Sequence, residues 1–392
     1  MIADLLLVFV AGVPLAFFVA SLVSTLVGMR RIPQLRRLEV DGARASWPRV
    51  SIVVPACNEE ATVESALRSL LAQHYPDVRV VAVDDRSSDR TGAIMDLIAR
   101  EDERLSVVHV DALPEGWLGK LNALHRGVAT SDGEWLLFMD ADAHLGTNTL
   151  KKCIGYADAK GVDFVSVIPH VGSAGFFGDT VFNVVMSSFC LTLRPWRIAD
   201  AGSKTVGATG AFMLARRSAF QRTPGFEWLR LEVADDFGLC LMMKTHGARC
   251  DMLHARDEVK IDWYVSLAEM TTKLQKNLFA VTGRFSLARI LGQAALMAWF
   301  GLFPLVVLFP VQPVWLRGLV LVALAMQLLA TVAASRWAAR PVLPALVPPL
   351  GFVLAASMML YAAVVGWRKG GIEWRGVLYP TSLLKARQRV KV

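Results

Sequence analysis

Three acidic clusters carry the chemistry that this sequence could perform. Asp84-Asp85 follow the apolar run Val78–Val83, Asp140-Ala141-Asp142 follow Glu134–Met139, and Asp235-Asp236 open a segment of helical spacing. Two carboxylates two positions apart, such as Asp140 and Asp142, suit a hard divalent cation, Mg2+ or Mn2+, that also holds substrate phosphates. Such an ion neutralises a diphosphate as it leaves. A carboxylate such as Asp236 can take the proton from an attacking hydroxyl, or it can be a helix-start acid stabilised by the macrodipole. Lys120 opens a predicted helix behind Gly116-Trp117-Leu118-Gly119. There it can meet phosphate oxygens or simply be solvated.

These residues need elements to hold them. Arg49–Ala56, Val78–Val83, Leu105–Val110, Glu134–Met139 and Asp163–Ile168 read as buried strands, rich in β-branched residues. Between them, Asn58 is placed to cap a helix running to about Gln73, and Gly119–Thr130 reads as a second helix. Alternating strands and helices predict an α/β fold with a mostly parallel sheet. Ligands of such sheets sit beyond the carboxyl ends of the strands, which is where both strand-end clusters fall.

Composition places this domain at a membrane. Mean hydropathy is +0.43, 54% of residues are hydrophobic and only 19% are charged. A soluble chain needs more polar surface than that. Residues 5–27 are apolar and are followed by Arg30, Arg31, Arg36 and Arg37, an anchor with its C-terminal end in the cytoplasm. The expected organisation is an N-terminal transmembrane anchor at 1–29, a basic linker at 30–48 and a cytoplasmic catalytic domain at 49–260. An interfacial segment at 261–289, membrane segments at 290–366 and a basic cytoplasmic tail at 367–392 follow. Three apolar candidates, 290–309, 315–333 and 343–365, are divided by Pro310-Val311-Gln312-Pro313 and Ser335–Pro341. Three full crossings would carry the basic tail outside, against the positive-inside rule. One candidate is therefore expected to be interfacial, re-entrant or half-inserted, and 290–309, with Gly292, Gln293, Gly301 and Pro304, is the weakest. Phe176–Leu193 contains Asp179 and Asn183 and reads either as an amphipathic element at the membrane surface or as a buried helix. The net charge of +8 sits on membrane flanks, not in a groove with interleaved aromatics, which argues against nucleic acid. The five cysteines form no C-x-x-C pair and fit a reducing compartment.

Taken jointly, six elements resemble glycosyltransferase family 2. They are VVPACNEEATVESALRSLLAQHYP, VDDRSSDRTG, GWLGKLNALHRG, MDADAH, GATGAFMLARRSAF and ADDFGLCLMMKTHG, in the family's order across Val50–Gly247. The membrane flanks and the Gly-Trp-x-Gly-Lys element look like the lipid-modifying branch, which includes ceramide glucosyltransferase and carotenoid- and hopanoid-associated enzymes. The resemblance implies a GT-A fold, a metal-dependent inverting mechanism, a nucleotide-sugar donor (commonly UDP-linked) and a lipid or other apolar acceptor in the cell (inner) membrane. By the same resemblance Pro55, Glu59, Asp85, Lys120, Asp140 and Lys276 would bind the nucleotide-sugar, and Asn122 would lie in the donor-side helix. Asp142 and Asp140 would hold the metal, Asp236 would be the catalytic base, and Asp235 and Gly210, within Gly207–Phe212, would lie on the acceptor side. The alternative is a processive membrane polysaccharide synthase. Such enzymes carry a Gln-x-x-Arg-Trp element after the base, whereas this chain reads Gln275-Lys276-Asn277-Leu278-Phe279. Near the end, Trp374-Arg375-Gly376-x-x-Tyr379 resembles a short element that these enzymes place after the last membrane segment.

Overall fold

The computed structural model describes residues 2–40, 46–308 and 313–391. Residues 41–45 of the basic linker and the divider Pro310–Gln312 lie outside the described residues.

The strands β1 (Val50–Ala56), β2 (Val78–Asp85), β3 (Leu105–Val110) and β4 (Trp135–Phe138) run parallel in the order β3-β2-β1-β4. Every residue of β1 is buried, because both faces of the sheet are covered. Ile52 and Val54 pack on one side with Leu67, Leu70 and Met95 from α2 (Val63–Leu71) and α3 (Thr91–Glu101). Val53 packs on the other with Leu121 and Leu124 of α4 (Gly119–Ala129). Such double cover is why these strands read as continuous apolar runs.

Beyond β4 the order continues β8-β6-β9, with β6 (Phe164–Ile168), β8 (Met213–Arg216) and β9 (Cys250–His254). β8 is antiparallel to both neighbours. A smaller sheet joins β5 (Ala143–Leu145), β10 (Val259–Ile261) and β7 (His170–Val171), and α5 (Thr149–Lys160) covers the main sheet. The expected α/β fold is present. Several details differ from the sequence reading, which did not foresee β9 or the smaller sheet. The first helix starts at Val63 and not at Asn58. Asn58 sits at φ 58 and its side-chain oxygen accepts a hydrogen bond from Ser88 N at 2.8 Å, so it ties two loops together in place of capping a helix. Strand β8 was not foreseen, since Met-Leu-Ala-Arg is too short to show a period.

Short helices α7 (Arg217–Phe220) and α8 (Phe226–Leu229) lead to α9 (Asp235–Thr245) and α10 (Leu267–Asn277). Among the described residues, five helices are long and apolar enough to cross a membrane: α1 (Ile2–Arg31), α6 (Gly175–Leu193), α11 (Leu287–Leu302, continued to Leu308), α12 (Val314–Trp337) and α13 (Pro348–Lys369). In α6 the polar Asp179, Thr180, Asn183 and Ser187 are buried, while Phe176, Phe177 and Val185 are exposed. The helix thus turns its polar residues to the protein and its apolar ones outward, the reverse of a water-facing surface helix.

The apolar helices are pinned to the domain. Arg256 Nη1 donates to the carbonyls of Arg336 and Trp337, both at 2.9 Å, and His254 stacks on Trp337 at 5.0 Å. Arg340 bonds to the carbonyls of Val171 and Gly172 and pairs with Asp179, both side chains being almost fully buried. After α13 the chain makes the hairpin β11 (Gly371–Trp374) and β12 (Val377–Pro380), then α14 (Thr381–Arg387). Tyr379 OH donates to Trp117 O at 3.2 Å, and the backbone N–H groups of Arg389 and Val390 donate to Glu232 at 2.6 and 3.0 Å.

Candidate active site

The carboxyl ends of β1, β2 and β4, the start of α4 and the start of α9 meet at one cavity of about 1000 Å³. Parallel strands put their last residues on one rim of a sheet. The register pairs Ala56 with Asp84, so Asp85 stands beside the loop that carries Glu59. Pro55, Glu59, Asp85, Lys120, Asp140, Asp142, Gly210, Asp235, Asp236 and Lys276 all line this cavity. Asn122 is buried without lining it, and its amide nitrogen has no hydrogen-bond partner.

Lys120 is the centre of the arrangement. Its Nζ lies 2.6 Å from Asp140 and 2.8 Å from Asp235. Burial alone would lower its pKa, but the two carboxylates more than offset this and hold it above the ordinary lysine value. Asp235, expected on the acceptor side, thus shares a counter-ion with Asp140 across the sheet. The backbone follows the same geometry: Asp140 N donates to Gly210 O at 2.9 Å. A Cβ on Gly210 would come within 2.4 Å of the Asp140 carboxylate, and one on Gly119 within 2.3 Å of Asp85. Both glycines are needed because acidic groups fill the space a side chain would take.

Asp142 and Asp236 are the strained members. Burial, then repulsion from Asp140 and Glu59, pushes the Asp142 carboxyl up to about 7. Burial, then Asp235, pushes Asp236 up to about 7 as well, with Lys120 opposing. Carboxyls near neutrality in a cleft suit proton transfer at physiological pH. Lys276 is pushed down to about 7, first by its enclosure and then by the charge of Lys120.

Sequence reasoning missed Arg86, which bonds Asp85 through Nε and Nη2 at 2.8 and 2.9 Å, because an arginine in a polar loop carries no pattern. It also gave no role to Trp374 and Arg375, which line the cavity from far along the chain. Apolar side chains line it as well: Phe182, Val185 and Met186 from α6, Met270 and Leu274 from α10, and Ala355, Met358 and Met359 from α13. The lining therefore combines charged groups with apolar side chains, some of them from α6 and α13, which are long and apolar enough to cross a membrane.

Comparisons with known proteins agree with this geometry. Residues 51–223 match the family model described as glycosyl transferase family 2. The chain is 26% identical over 215 residues to the beta-monoglucosyldiacylglycerol synthase of Synechocystis, covering 54% of this chain and 44% of that one. It is 30% identical over 198 residues to the synthase of the same name from Trichormus variabilis, covering 50% and 41%. The matches thus span less than half the length of these relatives. Among solved structures, the mannosyltransferase PcManGT from Pyrobaculum calidifontis, in complex with GDP-Man and Mn2+, superposes with a TM-score of 0.52 at 20% identity, covering 91% of this chain and 98% of that one. The fold is GT-A, with apolar helices at both ends of the chain.

Proposed function

We propose, on the premise that residues 51–223 are a glycosyl transferase family 2 domain, that this protein moves a sugar from a nucleotide-sugar to a hydroxyl of a membrane lipid with inversion. The observation that carries the reading is the single cavity lined both by Asp140, Asp142, Asp236 and Lys120 and by apolar side chains of α6, α10 and α13. A donor with a diphosphate belongs with the charged groups and an acyl or prenyl chain with the apolar ones. UDP is the first donor nucleotide to try.

In this reading Asp236 takes the proton from the acceptor hydroxyl as its oxygen attacks the anomeric carbon. The bond to the nucleoside diphosphate breaks on the opposite face, so one displacement inverts the centre. Lys120 holds Asp140 and Asp235 in place and adds positive charge beside the leaving group. A divalent cation fits Asp142 and Asp140: the donors are oxygens, and the raised Asp142 carboxyl is one that a cation would relieve. Mg2+ and Mn2+ commonly take only one or two carboxylates and complete their shell with substrate phosphates and water. When bound, such an ion neutralises charge on the leaving diphosphate.

The tail supports a reading of sidedness. Trp374, Arg375 and Tyr379 line the same cavity as Asp140, so the chain after α13 lies on the domain's side of the membrane. The end of α12 is on that side too, since Arg256 bonds its last carbonyls. We therefore read α12 as a crossing segment and α13, an unbroken helix with both ends on that face, as lying along the membrane surface beside α11. The basic flanks support a cytoplasmic position for that face.

The test is a transfer assay with radiolabelled nucleotide-sugars and membrane lipids, products resolved by size. The expected product is one short lipid-linked species, lost when EDTA removes divalent cations and restored by Mg2+ or Mn2+. A long polymer, or turnover indifferent to EDTA, contradicts the reading.

A further inference from the structure

Five cations among the described residues line the cavity, and they are unequally neutralised: Lys273 has Glu269. Lys120 has Asp140 and Asp235, and Arg86 has Asp85. Arg375 reaches Glu59 alone among the described carboxylates. Lys276 has no carboxylate within ion-pair distance among the described residues, and its Nζ lies 3.5 Å from the ring centroid of Trp374. An ammonium in a partly closed cavity with only an aromatic face for company is incompletely compensated. Two positive charges, from neighbouring parts of the lining, thus look into the space beside the acidic rim.

The hairpin that brings Trp374 and Arg375 here is built for the position. Its two turn residues are Arg375, at φ 50, and Gly376, at φ 77. Turns of this kind favour asparagine or glycine at the first place. An arginine held in a left-handed conformation, with its guanidinium at a cavity mouth, is the sort of local cost that marks a working position. Tyr379 ties the hairpin to Trp117 O, in the loop that leads to Lys120.

We propose that the β11–β12 hairpin is a wall of the donor site, in which Arg375 and the Trp374-braced Lys276 together take the diphosphate of the nucleotide donor. This rests on the donor reading given above. Arg375 exchanges Glu59 for phosphate oxygens when the donor enters, and Trp374 keeps the Lys276 ammonium aimed at the same group. A nucleoside monophosphate offers this pair one phosphoryl group fewer and gains less from it.

The experiment is calorimetric binding of UDP, GDP, UMP and GMP to the full-length protein in detergent, for wild type, Arg375→Gln, Arg375→Lys, Trp374→Leu and Lys369→Gln. Lys369→Gln removes the same charge from a side chain that pairs with Glu373 and does not line the cavity. Arg375→Gln and Trp374→Leu are expected to weaken binding of the preferred diphosphate about tenfold or more and to shrink its advantage over the monophosphate, while Arg375→Lys retains part of the affinity. Lys369→Gln is expected to bind as wild type. Wild-type affinity in both Arg375→Gln and Trp374→Leu overturns the proposal and leaves the donor reading intact. An equal loss in Lys369→Gln also overturns it, since general charge would then explain the effect. A wild-type protein that binds neither diphosphate removes the donor reading and the proposal together.

Discussion

At the scale of single residues, the site works by crowding acids around too few cations. Asp142 and Asp236 both sit near neutrality because burial and neighbouring carboxylates disfavour their charge. A base must be deprotonated to act, and Asp236 is deprotonated above about 7. At saturating donor and acceptor, kcat is expected to fall about tenfold per pH unit below that point and to level off above it. A kcat flat from pH 5 to 8 contradicts the assignment of the base. The type of each acid was legible in the sequence from its place after an apolar run. The sharing of Lys120 between Asp140 and Asp235 was not, because it joins residues from three distant segments and depends on how α4 and α9 meet at the sheet's rim.

At the scale of elements, the parallel strands were legible because both faces are covered and the residues are β-branched. The antiparallel β8 was hidden by its brevity, yet it fixes the floor of the site by delivering Gly210 to Asp140. Gly210→Ala would push a methyl to 2.4 Å from the Asp140 carboxylate. That acid would have to move from Lys120, and kcat is expected to drop by about two orders of magnitude, as a misplacement near 1 Å does; steady-state kinetics on a variant of unchanged thermal midpoint checks this. The tail shows the other limit of sequence reading. Trp374-Arg375 was recognisable as a motif, but nothing in its spacing tells that it lies over Lys276, about a hundred residues earlier in the chain. Glu232, three residues before Asp235, accepts the N–H groups of Arg389 and Val390. Arg389 and Val390 thus brace the loop that leads into α9.

At the scale of the whole molecule, the catalytic domain and the apolar helices form one unit. The Arg340–Asp179 pair is its buried joint, reinforced by the carbonyls of Val171 and Gly172 and the hydroxyl of Ser173. Breaking one side of a buried pair leaves an uncompensated charge, so Arg340→Met is expected to cost about 3–5 kcal/mol. Changing both partners together to Met and Leu should cost much less. Thermal unfolding of the detergent-solubilised protein distinguishes the two. Asp179 drew attention in the sequence as a charge within an apolar stretch. Its partner lay beyond α12, some 160 residues away, where no local pattern could point to it.

The central claim is that Asp236 moves the proton in a cavity that the other acids and cations prepare for a nucleotide-sugar. The most direct measurement compares wild type and Asp236→Asn in lipid nanodiscs, following donor binding by calorimetry and sugar transfer to lipid by radiolabel in the same preparation. The account predicts donor affinity close to wild type and transfer reduced by about 100- to 10,000-fold. Transfer at the wild-type rate by Asp236→Asn would contradict it.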